Sequence, residues 1–152
     1  MKDLIDALPV AESVEYLLDT CFLIDIMKKG KIKQLEWFCA INKTGMTSFN
    51  LEEVVHVHHK LKGDASHQLR TFFKQKLISN VKVPVSPGNR IGEVEYVNES
   101  YDWVLKIIPD PSDAVLIATA LRINASVLTK DRHHIYTAVA ENKGIKVLKE
   151  LP

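Results

Sequence analysis

The sequence predicts an α/β fold, a three-layer α/β/α sandwich with a mostly parallel central sheet, and three observations lead there. Short apolar runs alternate with longer runs of helical period, as when strands and helices take turns. The strands so marked are brief and apolar throughout, the pattern of a sheet covered on both faces. One helix, opening at Asp110-Pro111-Ser112-Asp113, is apolar nearly all round and therefore belongs in the interior.

Taken in order, Tyr16-Leu17-Leu18 reads as a buried strand ending at Asp19. Phe22, Leu23, Ile26 and Met27 recur at helical spacing until Lys28-Lys29-Gly30, a helix stop. Thr44-Gly45-Met46-Thr47 turns into a short strand or a helix entry, and Leu51, Val54, Val55 and His58 continue as a helix through Leu61, stopping near Gly63. Leu69, Phe72, Phe73 and Leu77 mark a second helix over 65–77. Residues 81–85 read as a strand whose Pro84 suggests an edge or a strand end. After the loop Ser86-Pro87-Gly88-Asn89, one helix carries Ile91, Val94, Val97, Tyr101, Val104 and Leu105. In the helix that follows, Asp110 is a capping acid, Pro111 takes the first helical position and Asp113 the third. Residues 126–129 form a strand, 135–141 a short helix and 145–148 a last strand.

The first fifteen residues do not fit the alternation and read as an N-terminal appendage (1–15) to a single domain over 16–152. With 46% hydrophobic and 26% charged residues the composition is that of a soluble globular domain. No apolar run approaches a membrane span, and the acids in Met1-Lys2-Asp3-Leu4-Ile5-Asp6 argue against a secretory segment, so a cytoplasmic location is expected. Cys21 and Cys39 are expected to be small buried apolar groups. A net charge of +1 gives no global field for a polyanion, so any such binding must be local.

In a doubly wound sheet, ligands bind beyond the carboxyl ends of the strands. Asp19 and Asp131 fall there, and Glu53 and Asp113, near helix starts, could face the same edge. Each has an ordinary explanation: Asp113 completes a cap, Glu53 is a solvated helix residue like Glu52, Asp131 begins a turn. Asp19, closing a three-residue apolar strand, is harder to explain so. Carboxylates converging on one point repel each other strongly, and such a cluster persists when a divalent cation neutralises it. Oxygen-only ligands suit magnesium or manganese, which lower the pKa of water and stabilise the charge of a phosphoryl transition state.

Four segments resemble the PIN domain family. Residues 18–25, Leu-Asp-Thr-Cys-Phe-Leu-Ile-Asp, resemble its opening strand and helix. Residues 46–54 resemble its second segment, where the apolar Leu51 and Val54 select Glu53 over Glu52. Residues 112–120 are similar to its third, an Asp heading an Ala-rich buried helix, and Val127-Leu128-Thr129-Lys130-Asp131 to its fourth. The likeness runs from about Tyr16 to Leu148, with Asn50 where the pattern has Thr or Ser. It implies a PIN-like fold and a magnesium- or manganese-dependent endoribonuclease, often the toxin of a type II toxin–antitoxin pair and often a homodimer. On this reading Asp19, Glu53 and Asp113 hold the principal metal and Asp131 contributes directly or through water. Thr20, Thr47 and Thr129 orient the carboxylates. Arg132, His133 and His134, beside Asp131, are the expected RNA contacts, and an antitoxin segment would cover or enter the acidic cleft.

The rival readings are an RNA-processing nuclease of the same family, a catalytically inactive PIN-like binding module, and a phosphate-accepting receiver domain. The receiver is disfavoured because Val83-Pro84-Val85-Ser86 stands where its acceptor Asp belongs. His56, His58 and His59 suggest zinc, but no HExxH accompanies them. The basic run 28–33 and Lys60, Lys62, Arg70, Lys74, Lys76 and Arg122 are read as mostly solvated, some able to flank the cleft. The aromatics Trp37, Phe38, Phe72, Phe73 and Trp103 are read as packing groups.

Overall fold

The computed structural model describes residues 1–131 and 134–152; the side chains at 134, 135 and 137 also fall outside the description. Five parallel strands make one sheet in the order β3-β2-β1-β4-β5: β1 (Tyr16–Leu18), β2 (Thr44–Thr47), β3 (Ser79–Val81), β4 (Ser126–Leu128) and β5 (Val147–Leu148). Successive strand residues point to opposite faces, and the core divides accordingly. Leu17 and Val127 join one cluster, with α6 (Arg90–Ser100), α7 (Val104–Ile107), α8 (Pro111–Ile123) and α9 (His134–Asn142). Leu18 and Leu128 join the other, with α2 (Thr20–Lys28), α3 (Ile32–Ile41) and α5 (Asp64–Lys74). The α4 helix (Ser48–Val57) gives Phe49 to the first cluster and Leu51 and Val54 to the second. The expected three-layer sandwich is what the chain adopts, with every strand pair parallel.

The α8 helix forms as its sequence dictates. Asp110 accepts a hydrogen bond from the Ser112 backbone N–H at 3.0 Å, Pro111 opens the helix, and Asn124 ends it in the left-handed conformation that Asn tolerates. Residues from Ala114 to Ala120 are buried without exception.

Four features differ from the sequence reading. The stretch between Gly30 and Thr44, given no element there, contains α3, whose inner side is Ile32, Leu35, Phe38 and Cys39. Trp37 lies on the opposite side of that helix and is 66% exposed, so it is not a packing group. The third strand lies at Ser79–Val81 rather than over 81–85, because the Val83 N–H turns to the Ser48 hydroxyl (2.9 Å) and Pro84 has no N–H to offer. The single helix expected across 91–105 is divided into α6 and α7: Tyr101 leaves the helical region, and the Ser100 hydroxyl donates back to the Tyr96 carbonyl (3.2 Å).

The first fifteen residues carry the short helix α1 (Lys2–Asp6), whose Ile5 joins the second cluster together with Leu8. The following backbone pairs with β3: the Asn80 N–H donates to the Pro9 carbonyl (2.7 Å) and the Ala11 N–H to the Asn80 carbonyl (3.0 Å). No helix among the described residues is long and apolar enough to cross a membrane.

Gly45 in β2 marks where strands and the incoming chain approach most closely. A Cβ there would sit 2.7 Å from the Ser79 carbonyl oxygen and 3.1 Å from a Val14 methyl. Gly45→Ala should therefore cost about 1–3 kcal/mol as backbone shifts to relieve overpacking. Thermal denaturation should show the midpoint falling by roughly 3–10 °C, and an unchanged midpoint would refute this account.

Candidate active site

The strand order reverses between β1 and β4: the chain runs outward from β1 to β3, then returns to the other side of β1 with β4 and β5. A crevice opens beyond the carboxyl ends of the two strands at such a switch point. Asp19 directly follows β1, Thr129 follows β4, and the Asp19 N–H donates to the Leu128 carbonyl at 2.9 Å, tying the two strand ends together. Asp19 is also the residue preceding α2, yet its side chain makes no capping bond. It points instead into an open cleft of about 1050 Å3 whose lining includes Asp19, Glu53, Asp113 and Asp131. All four carboxylates singled out from the sequence thus face one space.

Neutral donors hold the acids in place. Thr129 Oγ1 donates to Asp19 Oδ2 at 2.7 Å, and Cys21 Sγ donates to the same oxygen at 3.1 Å. Thr20 Oγ1 donates to Glu53 Oε1 at 3.2 Å. Thr47 does not reach a carboxylate directly: it donates to Asn50 Oδ1 at 2.6 Å and accepts from the Asn50 backbone N–H at 3.0 Å, capping α4. Asn50 is the hub. Its amide nitrogen lies 3.0 Å from Glu53 Oε1, 3.4 Å from Asp19 Oδ1 and 3.3 Å from Thr20 Oγ1, so two N–H bonds serve three acceptors between the two acids.

Burial is the largest influence on these acids. It pushes the Asp19 carboxyl above its ordinary range against the pull of the Thr129 and Cys21 hydrogen bonds, and Asp131 adds repulsion. It pushes Glu53 up to about 7, with further repulsion from Asp19 and Asp113 that the Thr20 and Asn50 bonds only partly offset. Tyr136, buried beneath the cleft, donates to the Asp113 carbonyl oxygen at 3.3 Å. Its phenol is raised well above the usual value, by burial first and then by the field of Asp19, Asp113 and Asp131. Negative charge from distant parts of the chain therefore converges here, and the side-chain donors described on Asp19 and Glu53 are all neutral.

Several participants carried little signal in the sequence. Cys21 is not the buried apolar group expected of it: it is exposed at the cleft, and burial of its thiol together with the adjacent Asp19 pushes it up to about 12, so it remains a neutral donor. Glu93 on α6 is 1% exposed and accepts from the Ser112 hydroxyl at 2.8 Å, bracing the first turn of α8 beside Asp113. Lys28, Lys60 and Lys62 also line the cleft, so part of the basic surface flanks the acids. Lys130 lines the cleft too, where it is held by Glu150 at 2.6 Å and lies over the Phe22 ring. The expected RNA contacts Arg132 and His133, and the His134 side chain, lie outside the described residues. His58 Nδ1 lies 2.8 Å from the Val55 carbonyl oxygen, a bond that closes the end of its own helix.

Among the described residues no group of three or more His, Cys, Asp and Glu side chains is disposed, as it stands, to hold a metal ion. The donor set nonetheless fits a hard cation. It consists of carboxylates facing one cleft, with Asp19 and Glu53 desolvated and repelled by their neighbours, and the cleft is open enough for a magnesium or manganese ion to keep part of its water shell. Such an ion would be held by Asp19, Glu53 and Asp113, with Asp131 at its margin.

The raised Glu53 has a thermodynamic signature in metal-free protein. The folded state binds its proton near pH 7, whereas the unfolded chain does so near 4.5. Stability from this group is complete below pH 4.5 and is lost as pH rises through 7. Glu53→Gln keeps the acceptor oxygen and removes the charge. In chelator, the variant should melt above the parent at pH 8 by roughly 5 °C, the gap closing toward pH 5. A gap independent of pH would refute the burial of this charge.

Residues 16–142 match the model of the PIN domain, a span that takes in all four cleft acids. No curated protein is matched by the sequence. Among solved structures, the chain is similar to PAE2754 from Pyrobaculum aerophilum, at 17% identity and a TM-score of 0.58, covering 90% of this chain and 85% of that one. It is also similar to VapBC2 from Rickettsia felis, solved bound to a DNA fragment from their promoter, at 14% identity and a TM-score of 0.57, covering 87% of this chain and 96% of that one. At these identities the structural likeness speaks for the fold alone. The family match extends over most of the chain, from the first strand to the last helix, and by it the protein belongs to the PIN domain family.

Proposed function

We propose that this protein is a magnesium- or manganese-dependent endoribonuclease that hydrolyses RNA phosphodiesters in the acidic cleft, and that it serves as the toxin of a type II toxin–antitoxin pair. PIN domains are generally nucleases. The single observation that carries the reading is the convergence of Asp19, Glu53, Asp113 and Asp131 on one cleft at the sheet's switch point, where their mutual repulsion calls for a dication. The ion supplies Lewis acidity toward a phosphoryl oxygen and a lowered pKa for water.

The chain's own contribution is positioning. Thr129 and Cys21 fix Asp19 from one side and Asn50 from the other, so its carboxylate is oriented before substrate arrives. Thr20 and Asn50 do the same for Glu53. Lys28, Lys60 and Lys62 give the RNA backbone a cationic rim, needed because the cleft floor repels phosphate. The toxin role draws support from the fold shared with VapBC2. An antitoxin in that role would present a cationic side chain to the acids, replacing the charge that the metal supplies.

The test is cleavage of labelled RNA in magnesium or manganese against the Asp19→Asn variant. Cleavage should fall by at least about 100-fold in the variant. The variant should melt no lower than the parent, since one buried negative charge is gone. Expression of the parent, but not of the variant, should arrest growth of a bacterial host. Undiminished cleavage by the variant would remove the mechanism, and absence of manganese binding by calorimetry would make the domain an inactive binding module. Cleavage without growth arrest would turn the reading toward RNA processing.

A further inference from the structure

Next to the acidic cleft lies a second, smaller hollow of about 200 Å3. Its walls are Ile107, Ile108, Pro109 and Asp110, and it shares Asp113, Asp131 and Tyr136 with the cleft. Three of these apolar residues come from one stretch, the end of α7 and the link into α8, and Tyr136 from α9 on the opposite side. Ile108 and Tyr136 are nearly inaccessible, at 6% and 2%, and form the floor. Ile107 is 40% exposed, a large aliphatic group left facing solvent at the rim. A partly exposed isoleucine beside a hollow floored by apolar groups marks a place where a ligand completes the burial.

We infer that this hollow is a nucleobase subsite, which holds the base of a nucleotide adjoining the scissile phosphate while Asp113 and Asp131 border both the base and the chemistry. The inference rests on the ribonuclease reading above and adds to it the residues that contact a base. Continuity is what identifies the occupant. A phosphate at the Asp113–Asp131 edge carries its base on a tether of one sugar, and a hollow sharing that edge is within the tether's reach. The hollow's chemistry suits a base and not its backbone: it offers apolar contact edged by the carboxylates of Asp110, Asp113 and Asp131, which repel phosphate, and no lysine or arginine among its described walls. The cationic rim, Lys28, Lys60 and Lys62, belongs to the large cleft alone. Backbone and base are thus received by separate surfaces with the acids between them. A base can enter the hollow only when unpaired and unstacked, so the subsite also selects single-stranded or distorted RNA.

The test uses a short single-stranded RNA chosen by sequencing the cleavage products of a randomised pool. Three forms are compared: intact, and abasic at the nucleotide immediately 5′ or 3′ of the cleaved bond. For the parent protein, one of the two abasic forms should be cleaved with kcat/KM lower by roughly 10-fold, the other near the intact rate. Ile107→Ser, at an exposed rim position that should leave the fold intact, should lower kcat/KM on intact RNA by a similar factor and lose nothing more on the sensitive abasic form. A second readout needs no turnover: 2-aminopurine at the sensitive position should change its emission on binding to the Asp19→Asn variant, and 2-aminopurine several nucleotides away should not. Equal cleavage of all three RNAs, with Asp19-dependent activity intact, overturns the subsite and leaves the ribonuclease standing. Absence of any Asp19-dependent cleavage overturns both.

Discussion

Like charges set side by side out of water repel, and the rest of this molecule is arranged around that fact. Asp19 and Glu53 are pressed together by two helices that begin at neighbouring strand ends, and burial raises both carboxyls. A protein could relieve the strain with an arginine or lysine. Between Asp19 and Glu53 this one interposes Asn50, a neutral amide held rigid by Thr47. Lys130, at the cleft wall, is paired with Glu150. On the proposed reading, the stability given up at this place is what an outside positive charge would gain as affinity.

Much of this was readable from residue order. Tyr16-Leu17-Leu18 followed by Asp19 places an acid at a strand's carboxyl end, and the cap at Asp110-Pro111 fixes where α8 starts and so where Asp113 stands. Those signals are local and stereochemical, which is why they survive without coordinates. Glu53 rather than Glu52 follows from matching the apolar Leu51 and Val54 to the pattern of the family that the segment resembles, and both of those residues are buried. What could not be read depends on contacts between distant segments. Cys21 looks like any small residue in an amphipathic helix until β4 brings Thr129 alongside. Glu93 resembles its exposed neighbour Glu95 until α8 supplies Ser112. Asn50 stood out only as a departure from the family pattern, and its part became visible once Asp19, Thr20 and Glu53 were seen around one amide.

The missed elements have a similar origin. The α3 helix has no side-chain cap and begins inside a basic run, so its apolar rhythm of Ile32, Leu35, Phe38 and Cys39 is masked by charge at its start. The displaced third strand follows from competition: the Ser48 hydroxyl claims the Val83 N–H, and pairing with both β2 and the entering chain is concentrated on Asn80.

That double pairing at Asn80 has a consequence for how the protein behaves in a crowded solution. A parallel sheet ending in a bare strand offers its free amides to any other extended polypeptide, including another molecule of the same kind. Here Pro9 and Ala11 occupy those positions on β3, while α1 anchors the covering segment through Ile5. The segment that precedes β1 therefore occupies a sheet edge that would otherwise lie open to pairing. Removing it would bare the Asn80 amide and carbonyl to any extended chain that passes.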